Sequence, residues 1–315
     1  MNTHKPKRGP KAYTKRWFSM RRRTIGASEA AAVCGMSRWS QPLTVYHRKT
    51  KGESRDEPMT EAQEMGHILE PSILSGYHKK AKGTMQAPVP MLIHPSIPFM
   101  VATPDALWTD MIVSKREVMD HNYIPVDAKT SRHSADWGDE GTDAIPNEYI
   151  FQAQQQMAVT GAQRCDLPVL MSSLSIKVYK VGRNESLISQ IISAERELIE
   201  RLENKEPPEA NWSHPGALDL MKEVYEVKEE SVQLDDLAAD LWDDIAEWKS
   251  SRSELDRKIS SHKARLLGMI KDAAKGELPD GRTIKRKKIF RESVEVPAYS
   301  YVRMSCTKTP KEEQE

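Results

Sequence analysis

A chain of 315 residues, 38% hydrophobic and 30% charged, has room for one large domain with an extension or for two modest domains. No apolar run approaches the roughly 18–20 residues that span a bilayer, and the basic N-terminus lacks the apolar segment of a secretory signal. Three scattered cysteines (Cys34, Cys165, Cys306), with no CxxC, argue against a disulfide framework or a four-cysteine iron–sulfur site and for a reducing cytoplasm. The net charge of +1 conceals an asymmetry. No acidic residue precedes Glu29, whereas that stretch carries Lys5, Lys7, Arg8, Lys11, Lys15, Arg16 and the run Arg21, Arg22, Arg23; a second basic cluster, "KRKKIFR", spans 285–291. Each cluster reads either as a phosphate-neutralising surface or as a solvated face.

Residues 1–15 read as a disordered basic arm. From Trp17 to Lys49 the pattern is a loop into two short helices, with Ser28 as an N-cap for "EAAAVCG" and Gly35 as its stop. Over 60–83, Met65, Ile68, Leu69, Ile73, Leu74 and Tyr77 recur at 3–4 spacing, which predicts a helix. Three strand-like pieces follow, "APVPMLIHP", "PFMVATPDALWTD" and "YIPVDAKTS", then a Gly- and Asp-rich loop over 134–145. "PNEYIFQAQQQMAVTG" opens on Pro146 and closes on Gly161 as a helix does. A strand pair over 165–181 and an amphipathic helix ending before Pro207 complete an α/β pattern with a central mixed sheet. From Leu234 to about Lys275 the apolar residues follow near-heptad spacing, interrupted by Arg252 and His262, and "PDGR" (279–282) then turns into a basic strand pair.

Asp127 and Lys129 stand two residues apart in a strand-like run, so both leave the same face. The same D/E-x-K spacing at Glu203, Glu226, Glu247 and Asp256 falls in helix or loop, where it amounts to a surface ion pair worth ~0.2–1 kcal/mol. Around the strand pair, Glu70 lies in "GHILEP" on the first long helix, and Asp105 lies in "VATPDALW" behind a proline. Acids converging from different elements beside one amine are what phosphodiester hydrolysis requires: hard oxygen ligands for a divalent cation, and a cation to meet developing charge. Singly, Glu70 reads as a helix-surface acid and Asp105 as a turn residue.

The ordered motifs "GHILE", "TPDAL", "VDAKT" and "QAQQQM", with "RRRTIGASEAAAVCGMSRW" ahead of them and "AVTGAQRCDLPVL" behind, resemble the YqaJ-type viral recombinases. That group includes lambda exonuclease and belongs to the PD-(D/E)XK nuclease superfamily; the resemblance covers about 17–205. It implies a restriction-endonuclease-like core over 16–206; beyond it the residue pattern itself reads as a linker over 207–230 and a helical, coiled-coil-like extension with a basic hairpin over 231–315. It implies that Asp105, Asp127 and the Ala128 carbonyl ligate Mg²⁺ (or Mn²⁺), that Glu70 serves a second metal or its water, that Lys129 orients the attacking water, and that Gln152 is the active-site glutamine. Gln155 and Gln156 share its helix face and Gln154 points away, and all three read as helix-surface polarity. Arg21 and Ser28 fall where the family holds the 5′-phosphate of its DNA, with Arg22 and Arg23 near enough to compete. Asp127 departs from the family's usual Glu by one methylene.

Trp17 and Trp39 read as packed side chains rather than DNA stackers, and His67, His78 and His133 have no metal-binding context. The implied activity is a Mg²⁺-dependent deoxyribonuclease that degrades linear double-stranded DNA from the 5′ end and leaves 3′ single strands. The resemblance also implies phage-type recombination in a bacterial cytoplasm, delivery of product to a single-strand annealing protein, and a homo-oligomer such as a trimeric ring. An endonuclease or branched-DNA nuclease on the same core is the alternative enzyme. A non-catalytic DNA-binding or assembly protein is the alternative from another class.

Overall fold

The computed structural model describes residues 5–51, 60–132, 134–225, 229 and 231–285. The chain divides into two compact units, Met1–Tyr225 and Glu226–Glu315. His133, Cys306 and all of the 285–291 cluster except Lys285 lie outside the described residues. Among the described residues no helix is long and apolar enough to cross a membrane.

In the first unit, β1 (Lys7–Arg8), α1 (Lys15–Arg21) and β2 (Ile25–Gly26) lead through a 3₁₀ turn (Ala27–Glu29) into α2 (Ala30–Val33) and α3 (Pro42–Lys51). α4 (Glu61–Lys80) starts where the Thr60 hydroxyl accepts from the Gln63 amide and the Gln63 side chain accepts from the Thr60 amide, a reciprocal cap that satisfies two otherwise orphaned donors. There follow β3 (Thr84–Gln86), β4 (Leu92–Ile93), β5 (Met100–Ala102), β6 (Ala106–Thr109), β7 (Ile124–Val126) and β8 (Lys129–Ser131). α5 (Asn147–Thr160) ends at Gly161, whose φ of 73° is the left-handed cap expected of that glycine. β9 (Arg164–Met171), β10 (Ile176–Gly182), α6 (Glu185–Asn204) and α7 (Ala217–Val224) close the unit.

The main sheet runs β10-β9-β7-β6-β3, with β8 continuing β7 along β9; a smaller sheet runs β1-β4-β5-β2. β7 and β8 are parallel to β9, and the other pairs of the main sheet are antiparallel. This is the mixed α/β architecture expected from the sequence. α5 is buried along most of its length, with Phe151 and Val159 in one apolar cluster and Ala153 and Met157 in another. Its position between the two clusters is why its polar residues end up inside.

Two departures from the sequence reading concern the ends of this unit. The described part of the arm, 5–15, is ordered rather than disordered: Lys7 and Arg8 pair with Ile93 and Leu92, the Gly9 amide donates to Met91 O (2.7 Å), and the Met91 amide donates to Pro10 O (2.9 Å). The stretch expected as a linker packs back as well. Gln41 and Asn211 exchange a side-chain bond to the Asn211 amide (2.7 Å), and α7 buries Ala217 and Leu220.

β7 and β8 keep one register against β9, since Val126 pairs Asp166 and Lys129 pairs Val169, yet the strand is interrupted at Asp127–Ala128. The Asp127 amide donates to Asp166 O (3.0 Å). In a parallel ladder the return bond to the Asp127 carbonyl comes from the amide of residue 168. That residue is Pro168, which has no N–H to give.

The second unit contains α8 (Asp236–Ile270) and a hairpin of β11 (Lys275–Glu277) and β12 (Thr283–Lys285). α8 begins where Asp235 Oδ1 accepts from the Ala238 amide (3.1 Å). The hairpin turns through Gly281 at φ 85°, close to the "PDGR" expectation.

Candidate active site

β6 and β7 are adjacent antiparallel strands with Ala106 opposite Val126, so Asp105 and Asp127 stand side by side at their ends. The Ala128 amide donates to Asp105 Oδ2 at 2.7 Å, a side chain taking the place of a strand partner exactly where the strand is interrupted. Lys129 Nζ contacts Asp127 Oδ2. From α5, Gln152 Nε2 (3.1 Å) and Gln156 Nε2 (2.7 Å) both donate to Asp127 Oδ1. Asp127 is 3% exposed, and every polar contact it makes fixes its orientation.

Glu70 reaches the same cavity from α4, immediately before Pro71, whose missing N–H removes one intrahelical bond at that turn. His67 Nδ1 lies 3.9 Å from Glu70 Oε2, and its Nε2 is 3.2 Å from the Tyr13 hydroxyl. The cavity, about 820 Å³, is walled by Glu70, Asp105, Asp127, Lys129 and Gln152, and also by Arg21 and Ser28. The seven side chains assigned to the metal, the chemistry or the phosphate therefore share one cavity; Ala128 is the exception, and touches it through Asp105.

The electrostatics reflect crowded acids in a poorly solvated place. Burial, then the Asp127 carboxylate, push Asp105 well above the ordinary carboxyl range, with Lys129 opposing. Burial raises Glu70, against the pull of His67 and with the push of Asp127. Lys129 is itself desolvated, which disfavours its charge, but Asp127 and then Asp105 outweigh that and lift its pKa above the usual value. Both carboxylates thus favour its charged form.

These donors suit a hard divalent cation: carboxylate oxygens whose negative charge is under-compensated. Among the described residues no three His, Cys, Asp or Glu side chains stand close enough to cage an ion alone. A cation here would need main-chain or water oxygens besides Asp105 and Asp127, which is how Mg²⁺ is commonly held.

Residues 16–163 match the model of the YqaJ-like viral recombinase domain. Over those residues the chain is similar to the YqaJ-like viral recombinases. The uncharacterized protein YqaJ of Bacillus subtilis (strain 168) is 24% identical over 255 residues, 77% of this chain and 76% of the relative. Among solved structures, the alkaline exonuclease LHK-Exo from Laribacter hongkongensis is 23% identical over 61% of this chain and 94% of that one, with a TM-score of 0.48. A phage related exonuclease from Haemophilus somnus 129PT is 14% identical over 58% and 96%, with a TM-score of 0.37.

Within the matched segment several residues sit otherwise than the sequence reading had them. Ser28 is not an N-cap: it lies in the 3₁₀ turn, and the cap is the Gly26 amide donating to Glu29 Oε2 at 2.8 Å. Of the three consecutive arginines Arg21 lines the cavity, its guanidinium 5.3 Å from the Trp17 ring centroid and 3.2 Å from Glu29, while Arg22 and Arg23 are exposed. Trp17 is a half-buried wall of the cavity, but Trp39 is 70% exposed with Arg38 over its ring, not packed. The glutamines at 154, 155 and 156 are all buried rather than on the surface. Gln154 donates to Gly182 O and accepts from the Asn184 amide, and Gln155 bridges Ile25 O and Val101 O.

Gln156 is the site residue that the sequence reading missed. The signal was its i+4 spacing from Gln152, which puts both amides on one helix face. Tyr13 and Trp17 were missed as cavity walls because nothing in their spacing ties them to residues about ninety positions on.

Proposed function

We propose that this chain is a metal-dependent exonuclease that degrades linear double-stranded DNA from the 5′ end. The reading is carried by one observation: the acid–amine–glutamine set and Arg21 with Ser28 face a single cavity. A protein that only bound phosphate would gain nothing from carboxylates beside the backbone, since they repel it. The fine features (Mg²⁺ or Mn²⁺ at Asp105 and Asp127, 3′ single-stranded product passed to an annealing protein, a ring-like homo-oligomer) belong to the same proposal.

Mg²⁺, when bound, supplies charge stabilisation at the reacting phosphoryl group. Lys129 has three N–H donors; one faces Asp127, and the ammonium also lies 5.2 Å from the Tyr149 ring, so it can hold an attacking water in line while remaining cationic. Gln152 and Gln156 keep the Asp127 carboxylate in one rotamer. The Ala128 amide already holds Asp105 beside the interrupted strand, and the Ala128 carbonyl is the main-chain oxygen that would join Asp105 and Asp127 on the cation. Attack by water on phosphorus with cleavage of the P–O3′ bond releases a nucleotide and leaves a 5′-phosphate on the shortened strand. Arg21 can engage that same group, so each turnover regenerates the recognised end.

Duplex labelled at either end, incubated with Mg²⁺ or EDTA, tests the proposal beside Lys129→Ala. Metal-dependent release of 5′-end nucleotides that the variant loses while still binding DNA is the expected result. Release from the 3′ label first, or nicking of closed circular duplex, would overturn it. A second substitution isolates the end pocket. A Cβ on Gly26 would fall 1.6 Å from Arg21 Nη1, the far end of a flexible side chain, while the backbone there (φ −87°) accepts any residue. Gly26→Ala is expected to fold normally and to lower the preference for 5′-phosphorylated over 5′-hydroxyl ends by ~10-fold or more, the worth of a charge-assisted contact.

A further inference from the structure

α8 buries none of its residues, although Leu241, Trp248, Leu255 and Ile259 are each at least half exposed and lie on one stripe. From Leu234 the stripe advances strictly by sevens through Leu241, Trp248, Leu255, His262 and Met269, and a second line runs through Ala238, Ile245, Arg252, Ile259 and Leu266. Those are the two seam positions of a coiled coil, sustained over five heptads and about 52 Å of helix. Charge is divided along it. Residues 236–252 hold five acids and two bases, and residues 253–270 hold two acids and four bases.

We propose that the exposed face of α8 pairs antiparallel with α8 of a second copy of this chain. The argument is charge complementarity together with the seam. Antiparallel alignment about a centre between Ser253 and Glu254 sets Leu241 against Leu266 of the second copy, and Trp248 against its Ile259. Arg252 then meets Leu255 and His262 meets Ile245, so neither polar seam residue faces its own kind. The flanking positions match too: Asp244 lies beside Arg265 of the second copy, and Lys249 beside its Asp256. A parallel pair would put Arg252 against Arg252 and Lys258 against Lys263, like charges in or next to the seam.

The test weighs the full chain in solution by sedimentation equilibrium. Leu241→Asp with Leu266→Asp is expected to halve the mass of the assembly while leaving the nuclease reaction unchanged. Asp244→Arg and Arg265→Asp are each expected to weaken the pairing at least ~10-fold, and the double reversal is expected to restore it, because only the antiparallel register joins those two residues. A wild-type monomer, a mass indifferent to the leucine changes, or a double reversal as weak as the singles would each overturn the proposal. Indifference to the leucine changes would mean that the stripe is covered by its own chain or by a different protein.

Discussion

Asp127→Asn is expected to lower metal-dependent turnover by ~10³-fold or more while leaving DNA binding in place. An interaction realised at the reacting phosphate is worth several kcal/mol, and every ~1.36 kcal/mol is a factor of ten in rate. The neutral amide fails twice. It lacks the charge a dication needs, and it cannot satisfy its neighbours. Asp127 Oδ1 accepts from Gln152 and Gln156 while Oδ2 meets Lys129, so all three neighbours are donors. An asparagine must turn its NH₂ toward either the glutamines or the ammonium, setting donor against donor. Asp127→Glu, which keeps the charge and lengthens the side chain by one methylene, is the control and is expected to remain active. Single-turnover cleavage at saturating enzyme separates the chemical step from binding.

The largest expected effect on stability lies at Lys49. Its ammonium is fully buried and donates to Arg21 O (2.9 Å) and Thr24 O (2.7 Å), and it pairs with Glu29 Oε1 at 2.9 Å. Lys49→Met would strand two carbonyls and leave Glu29 to Arg21 and the Gly26 amide, a loss of ~3–5 kcal/mol for breaking a buried pair from one side. Urea unfolding measures it. The pH dependence has a definite sign. Burial works against the Glu29 charge, but Arg21 and then Lys49 hold its carboxyl below the ordinary value of 4.5. The stabilisation is therefore full above that value and is lost as pH falls through the depressed one. Wild type and Lys49→Met are expected to converge in that acid window and to differ most near neutrality. Because the same network fixes the backbone of Arg21 and Thr24, the variant should also weaken the proposed contact of Arg21 with a 5′-phosphate.

The acids and the lysine were legible because each carries its own local context: a proline before Asp105, an alternating strand under Asp127 and Lys129, a helix under Glu70. Gln152 came through the motif. Gln156 did not, because a polar residue on a helix ordinarily faces water, and only the packing of α5 between two apolar clusters turns it inward. Lys49 could not be read at all, since two of its partners are main-chain carbonyls that no side-chain pattern announces. Ser28 was misread for a related reason: the hydroxyl in the expected position was passed over for a cap made by a glycine amide and a glutamate three residues later. Residues 5–15 look free in composition, but they supply an edge strand through backbone bonds, to which composition is blind. α8 is the reverse case, a helix announced by its periodicity alone.

Pro168 gives the site an unusual mechanical character. Central strands are ordinarily held on both sides by backbone bonds and open only with the whole domain. At Asp127–Ala128 one such bond is missing, and on the other side the Ala128 amide is held by the Asp105 carboxylate rather than by a neighbouring strand. The atom that steadies the strand thus belongs to a group available for coordination. Any ligand that recruits Asp105 competes with the backbone for it, so occupancy of the centre and local stiffness of the chain are linked quantities, and amide exchange at Ala128 is a direct gauge of both.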